Sequence, residues 1–161
     1  MAQYRLKTRL FVARPLEETF AFFADAGNLQ KLTPPWLSFR IRTPQPITMR
    51  PGALIDYLIV VHGLPVPWRT RISEWAPPAR FVDEQLWGPY WKWHHTHAFL
   101  AEDGGTVVED TVDYSPIGGA MMQALMVKND LRKIFTYRQF ATLEELQVPP
   151  RGPITVQIDR I

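Results

Sequence analysis

The strongest constraint on the fold is a run of strand-like segments that is followed by a single helical segment. Residues 39–114 contain six short stretches rich in β-branched and aromatic side chains, with turn signals such as residues 102–105 between them. Residues 118–146 then place apolar side chains at helical spacing, and Pro149 ends the pattern. Consecutive strands joined by short turns favour an antiparallel sheet. Because one curved sheet cannot cover its own apolar face, we expect the helix to lie across it.

One further strand and two short helices are predicted before this run. Residues 3–13 alternate strictly between two sets of side chains, which is the period of a half-buried strand. Leu16, Phe20 and Phe23 follow at the spacing of a short amphipathic helix, and residues 24–37 predict a second helical turn. These patterns together predict an α+β fold: a curved seven-stranded antiparallel sheet, two short helices after the first strand and one long C-terminal helix. A cavity is expected between the sheet and that helix.

Composition and charge exclude several classes of protein. The chain has 161 residues, which is the size of one domain, and no cysteine, so we expect no disulfide and no thiolate nucleophile. Its formal net charge is +2 with no block of like charge, which argues against nucleic-acid binding. No apolar run reaches the length of a membrane span, so no integral membrane association is expected. The N-terminus lacks the apolar core of a signal peptide, and we predict a cytoplasmic location.

Residues 91–100, Trp-Lys-Trp-His-His-Thr-His-Ala-Phe-Leu, hold three histidines in four positions. If Ala101 faces Thr106 across the following turn, alternate residues of the two strands share one face. In that register His97 opposes Asp110, Phe99 opposes Val108, His95 opposes Val112 and Trp93 opposes Tyr114. This aromatic-rich face should be buried, with His97 hydrogen-bonded to Asp110, whereas His94 should point outward.

Neighbouring segments add further side chains to this inner face. Asp83 and Gln85 alternate with outward residues on one adjoining strand, together with Phe81 and Trp87, and Trp68 lies inward on the strand before it. Met122 and Met126 come from the start of the long helix, where they belong to the core or to a pliable lid. The predicted ligand-binding residues are Trp68, Asp83, Gln85, Trp93, His95, His97, Phe99, Asp110, Tyr114, Met122 and Met126.

Four stretches together resemble the SRPBCC superfamily, which includes START-like lipid-binding domains and polyketide cyclase/dehydrase-like proteins. They are residues 28–41, 67–99, 104–116 and 134–138, and the bacterial ligand-binding branch is the most similar. The resemblance covers about residues 3–146. It implies the helix-grip fold with a hydrophobic cavity, a single domain of residues 1–146 and a tail of residues 147–161. It does not imply one chemistry, because members of one fold differ in function.

The polar cluster leaves several functions open. Its histidines and carboxylates can fix the head of a hydrophobic or aromatic small molecule, which is the function we predict. Alternatively, His97 and Asp110 act as the acid–base pair of a cyclase/dehydrase-like enzyme. His95 and His97 could also share a metal ion with Asp83 or Asp110, but a pair of histidines on a strand is a weak signal, and no metal or cofactor is predicted. A third function is an accessory interaction domain or homodimer that uses an apolar outer face of residues 55–61.

Overall fold

The structure is a computed structural model that describes residues 1–161, and eight strands form its single sheet. The strands are β1 (Tyr4–Val12), β2 (Arg40–Ile41), β3 (Leu54–Val61), β4 (Leu64–Ala76), β5 (Arg80–Trp87), β6 (Tyr90–Glu102), β7 (Gly105–Pro116) and β8 (Gln157–Arg160). Their order across the sheet is β2-β3-β4-β5-β6-β7-β1-β8, and every neighbouring pair is antiparallel. The predicted α+β architecture is therefore confirmed, with one strand more than the seven expected.

The additional strand comes from the tail. β8 pairs with β1, so that Ile158 lies opposite Leu6, and only 9% of Ile158 is exposed. The sequence analysis treats residues 147–161 as a tail, and the structure shows that part of this tail is an edge strand of the sheet. The division into a domain of residues 1–146 and a separate tail stays a prediction.

Two short helices and one long helix complete the fold. α1 (Leu16–Ala24) and α2 (Leu29–Leu32) follow β1, and short 3-10 turns of residues 26–28 and 35–37 flank α2. The long helix runs from Gly119 to Glu145: it begins as α3 (Gly119–Met122), continues as a π-helical segment (Gln123–Val127) and ends as α4 (Lys128–Glu145). None of these helices is both long enough and apolar enough to cross a membrane.

The predicted hairpin register is confirmed residue by residue. His97 lies opposite Asp110, His95 opposite Val112, and the pairing continues to Glu102 opposite Gly105. The turn is consequently only Asp103 and Gly104, and the positive φ of 83° at Gly104 suits the tight turns that join hairpin strands. The inner face of this hairpin is buried, and His94 lies on the other face, 3.7 Å from a carboxylate oxygen of Glu84.

The outer face of β1 and β7 is a set of charge pairs. Arg5 donates two hydrogen bonds to Asp113, at 2.6 and 2.7 Å, and Arg9 donates one to Glu109 at 3.2 Å. Arg5 and Arg9 of β1 are therefore each paired with a carboxylate of β7, whereas Lys7 between them lies opposite Thr111.

The inner face of the sheet packs against the long helix and α1. Leu131 and Phe135 of the long helix belong to a core cluster with Trp68 and Trp93, and a second cluster joins Phe99 to α1 and the end of the long helix. Leu125 in the π-helical segment does not take part in this packing and is 67% exposed.

The prediction of an apolar outer face at residues 55–61 is wrong. Ile55 and Ile59 are buried, and Tyr57 and Val61 are half-buried on the same side, which faces the interior. This face lines the space beneath the long helix and is not available to a second protein.

Candidate functional site

A cavity of about 1140 Å³ lies between the inner face of the sheet and the long helix. Of its 41 lining residues 27 are hydrophobic, so the wall suits an apolar molecule of the size that protein pockets commonly bind. Aromatic rings form much of one wall: Trp68 stacks on Tyr57 at 5.5 Å and meets Trp93 edge-on at 5.3 Å. Rings packed in this way give the wall a large apolar surface.

Four polar side chains that belong to one cluster reach this cavity. They are Asp83 from β5, His95 and His97 from β6, and Arg138 from the long helix. Asp110 of β7 lies behind them and does not line the cavity. The pairing of β5, β6 and β7 at this level sets the arrangement, because Asp83 lies opposite His95, and His97 lies opposite Asp110.

Asp110 orients both histidines from behind. Nε2 of His95 donates to Oδ1 of Asp110 at 2.8 Å, and Nδ1 of His97 lies 3.0 Å from the same oxygen but off the line of a hydrogen bond. The aligned bond therefore goes to His95, whereas the sequence predicted it for His97. The other oxygen of Asp110 lies 3.4 Å from Nε of Arg138 and 3.5 Å from the hydroxyl of Thr8.

Asp83 contacts the opposite edges of the two imidazoles. Nε2 of His97 donates to Oδ2 of Asp83 at 2.6 Å, and Nδ1 of His95 lies 3.8 Å from that oxygen. The two rings stack with centroids 3.8 Å apart, and Phe81 stacks on the free face of His97 at 4.2 Å. Each imidazole thus spans the gap between two carboxylates, and its rotamer is fixed by packing as well as by hydrogen bonds.

The cluster shifts the pKa values of its carboxyl groups. Burial alone would raise the pKa of Asp110, but the positive charge of Arg138 and the contact with His95 outweigh it, and its pKa lies well below the ordinary value. The pKa of Asp83 is also lowered, because His95 and His97 outweigh the effect of burial. Both carboxyl groups are therefore ionised at neutral pH.

The two histidines differ in their pKa values. Burial lowers the pKa of His95, and the neighbouring His97 adds to this effect. Burial also acts against the charged form of His97, but the close contact with Asp110 and the hydrogen bond to Asp83 outweigh it and raise the pKa of His97. With His97 protonated, two positive side chains balance the two buried carboxylates, which is the arrangement that buried charges require.

Three of these side chains could hold a metal ion. Asp83, His95 and His97 each offer one ligand atom, and the three atoms lie within 4.8 Å of one another. Two imidazole nitrogens and one carboxylate oxygen form a ligand set used by divalent transition metals.

Of the residues predicted to bind a ligand, the structure brings seven to the cavity wall. These are Trp68, Asp83, Trp93, His95, His97, Met122 and Met126. Phe99 and Tyr114 instead pack within the core, and burial raises the pKa of Tyr114 to about 12 although Gln123 donates a hydrogen bond to its hydroxyl.

Gln85 does not line the cavity, because its amide closes the loop between β5 and β6. Its Nε2 donates to the carbonyl of Tyr90 at 2.7 Å, and its Oε1 accepts from the backbone N–H of Tyr90 at 3.2 Å. A Cβ on Gly88 would lie 2.6 Å from that Oε1, so a larger residue at this position would displace the amide of Gln85. The register of β4 and β5 also shifts beside this loop, and Trp87, which was expected to face inward, is 58% exposed.

Sequence reasoning missed several residues of the wall. Arg138 lines the cavity and also forms a buried salt bridge with Asp110. Tyr57 and Ile59 were assigned to the wrong face. His62 and Asp130 also line the cavity, where Nε2 of His62 lies 2.7 Å from the Asp130 carboxylate and joins the β3–β4 turn to the long helix.

A family model described as "Polyketide cyclase / dehydrase and lipid transport" matches residues 12–142. The chain belongs to this family. That membership agrees with the SRPBCC resemblance of the sequence and supports hydrophobic-ligand binding as the general role of such a cavity. Among curated proteins, none matches the chain.

Solved structures show the same fold as this polyketide cyclase/dehydrase and lipid transport family member. Protein Ms6760 from Mycobacterium smegmatis has a TM-score of 0.67 at 16% identity, over 89% of this chain and 90% of that one. Ara h 8.0201 has a TM-score of 0.65 at 14% identity, over 90% and 98% of the two chains. A nucleoside-diphosphate sugar epimerase from Corynebacterium glutamicum is 26% identical with a TM-score of 0.63, and the match covers 88% of this chain. This chain spans only 29% of the epimerase.

Proposed function

We propose that the protein binds, and carries, a hydrophobic or aromatic small molecule in the cavity between the sheet and the long helix. The observation that carries this proposal is the large apolar cavity with one polar cluster on its wall. Apolar walls bury the body of a ligand, and a few fixed polar groups orient its head. Asp83 is the most exposed carboxylate of the cluster, with 17% of its side chain accessible, and it can accept a hydrogen bond from a ligand hydroxyl or amine.

A cavity-filling variant tests this proposal. Ile59 lines the cavity, whereas its neighbour Leu58 on the same strand does not. We expect the wild-type protein to bind the neutral fluorescent probe N-phenylnaphthylamine, and Ile59→Trp to lose at least tenfold in affinity because the indole occupies the space of the probe. The control Leu58→Trp should bind the probe as the wild type does.

Fluorescence titration measures both affinities, and circular dichroism checks that each variant is folded. If wild type fails to bind the probe, or if Ile59→Trp binds it with unchanged affinity, the cavity is not the binding site.

The cyclase/dehydrase-like activity is a second candidate, favoured by the hydrogen bond between His97 and Asp83 at the cavity wall. In such an enzyme the imidazole would move a proton to or from a bound polyketide-like substrate. His97→Gln should then bind the substrate but no longer convert it. Conversion at the wild-type rate would exclude His97 as the acid–base residue.

The remaining predictions concern a homodimer or accessory protein partner and the location of the protein in the cell. With the face of residues 55–61 turned inward, a homodimer or accessory partner would have to use another surface, and light scattering of the purified protein would reveal a dimer. The cytoplasmic location stays a prediction that cell fractionation can test.

A further inference from the structure

We propose that Asp83, His95 and His97 form a binding site for one divalent first-row transition metal ion, such as Zn²⁺ or Fe²⁺, on the wall of the cavity. The sequence alone predicts no metal, because two histidines on a strand are a weak signal. The structure adds three observations that the sequence does not contain.

The first observation is a ring nitrogen without a hydrogen bond beside a carboxylate. Nε2 of His95 donates to Asp110, and Nδ1 of the same ring makes no hydrogen bond. That Nδ1 lies 3.8 Å from Oδ2 of Asp83, and both residues line the cavity. An imidazole nitrogen and a carboxylate oxygen at this separation can bind one metal ion between them.

The second observation is the role of Asp110 behind the rings. Histidines that ligate metals usually donate their other ring N–H to a carboxylate, which fixes the ring and increases its basicity. Oδ1 of Asp110 accepts a hydrogen bond from Nε2 of His95 at 2.8 Å and lies 3.0 Å from Nδ1 of His97, so one carboxylate is within reach of both rings. The opposite nitrogens, Nδ1 of His95 and Nε2 of His97, are left to meet Asp83.

The third observation is a nitrogen without a hydrogen bond. Nδ1 of His97 is buried and has no aligned partner, although Oδ1 of Asp110 is only 3.0 Å away. The ring is drawn to Asp83 by the 2.6 Å bond of Nε2. Ligands about 2.0–2.2 Å from a metal lie roughly 3.3 Å apart in a tetrahedral site, so metal binding would separate His97 from Asp83 and let the ring turn toward Asp110.

Such an ion would have three protein ligands and an open position. Asp83, His95 and His97 all line the cavity, so the open position would face the bound molecule. An oxygen donor on that molecule could complete the coordination, and this step, unlike the metal site itself, rests on the proposed function. Metal binding would also release to solvent the Nε2 proton that His97 donates to Asp83.

Isothermal titration of chelator-treated protein tests the site. We expect one equivalent of Zn²⁺ to bind the wild type, Asp83→Asn to lose at least tenfold in affinity, and Asp110→Asn to lose about 10–100-fold. The control His94→Gln removes a histidine of the same strand that also contacts a carboxylate, that of Glu84, but lies on the outer face of the sheet, and it should leave the affinity unchanged. Circular dichroism checks the folding of every variant.

Two results would overturn the proposal: wild-type protein that binds no Zn²⁺ stoichiometrically, or Zn²⁺ binding that Asp83→Asn does not weaken. Co²⁺ gives an independent readout on the wild type, because a four-coordinate site produces a strong visible absorption that hydrated Co²⁺ lacks. Acetohydroxamate should shift this band, and an unchanged band would contradict the open position. Probe binding by the metal-free protein tests the cavity separately, so failure of one proposal does not imply failure of the other.

Discussion

The chemistry of the site depends on how one buried carboxylate, Asp110, is satisfied. Only 4% of this residue is exposed, and an uncompensated charge at such a position is very unfavourable. His95 and Thr8 reach it from neighbouring strands and Arg138 reaches it from the long helix. The ion pair with Arg138 therefore ties the helix to the sheet directly behind the polar wall of the cavity.

Removal of this cation should be costly. Arg138 is 8% exposed, and Arg138→Met would leave the charge of Asp110 without its cationic partner, so we expect a loss of about 3 kcal/mol in the free energy of unfolding. The same substitution at Arg132, an exposed residue of the same helix, should change it by less than about 0.5 kcal/mol. Urea denaturation measures the free energy of unfolding of both variants. Equal effects of the two substitutions would show that the buried ion pair does not stabilise the fold more than an exposed arginine does.

The surface pair of Arg5 and Asp113 should make a pH-dependent contribution to the free energy of unfolding. The hydrogen bonds from Arg5 lower the pKa of Asp113 in the folded protein. Its stabilisation is therefore present above the unfolded pKa, near 3.9, and is lost as the pH falls through the folded value. Because 40% of the Arg5 side chain is exposed, we expect Asp113→Asn to cost only about 0.5 kcal/mol at pH 7.

Thermal unfolding of wild type and Asp113→Asn between pH 7 and pH 3 checks this sign. We expect the difference in melting temperature between the two proteins to shrink as the pH falls. Glu109→Gln is the matched control, since its partner Arg9 is 62% exposed and the pair should contribute less. A difference that grows as the pH falls would contradict the assignment.

Residues of the site were predictable to the extent that strand pairing fixes them. The sequence placed His95, His97 and Asp110 on one face in the register that the structure shows. It did not predict which imidazole takes the aligned bond to Asp110, because this depends on side-chain rotamers, and on contacts with Asp83 and Phe81 from another strand. Arg138 is distant in sequence, and no local pattern connects it to the cluster.

Among the elements, β3 and β8 could not be placed correctly from the alternation of apolar and polar side chains alone. β3 reads Leu-Ile-Asp-Tyr-Leu-Ile-Val-Val, so both of its faces are largely apolar and alternation alone cannot decide which one faces inward. The packing of the long helix decides it. β8 is a short segment beyond the long helix, and its pairing with β1 depends on the path of the chain from residue 146 back to the sheet edge.

The tail strand should contribute to stability through its one buried side chain. Ile158 belongs to the core cluster beneath the long helix, whereas Ile161 is 54% exposed. We expect Ile158→Ala to lower the free energy of unfolding by about 2 kcal/mol. This value is at the lower end of the range for replacing a buried isoleucine by alanine, because β8 lies at the edge of the sheet. Ile161→Ala should change it by less than about 0.5 kcal/mol. Guanidinium denaturation compares the two, and equal values would show that β8 is not part of the cooperative core.

For the whole molecule, the cavity follows from the architecture. A curved sheet of eight strands and one long helix cover each other only in part, and aromatic side chains keep the remaining space open. The order of elements in the sequence was sufficient to predict this layout and the existence of a cavity. The volume was not predictable, because it depends on the curvature of the sheet and on the register shifts in β4 and β5.

The central claim, that the cavity holds a small hydrophobic molecule, is tested most directly by native mass spectrometry of the protein purified from its own host. We predict a single adduct in one-to-one ratio that is released on denaturation and is identified as an apolar compound with at least one hydroxyl, amine or carbonyl group. The adduct should be absent from Ile59→Trp and present in Leu58→Trp. Adduct-free wild-type protein, or an adduct that Ile59→Trp retains, would contradict the claim.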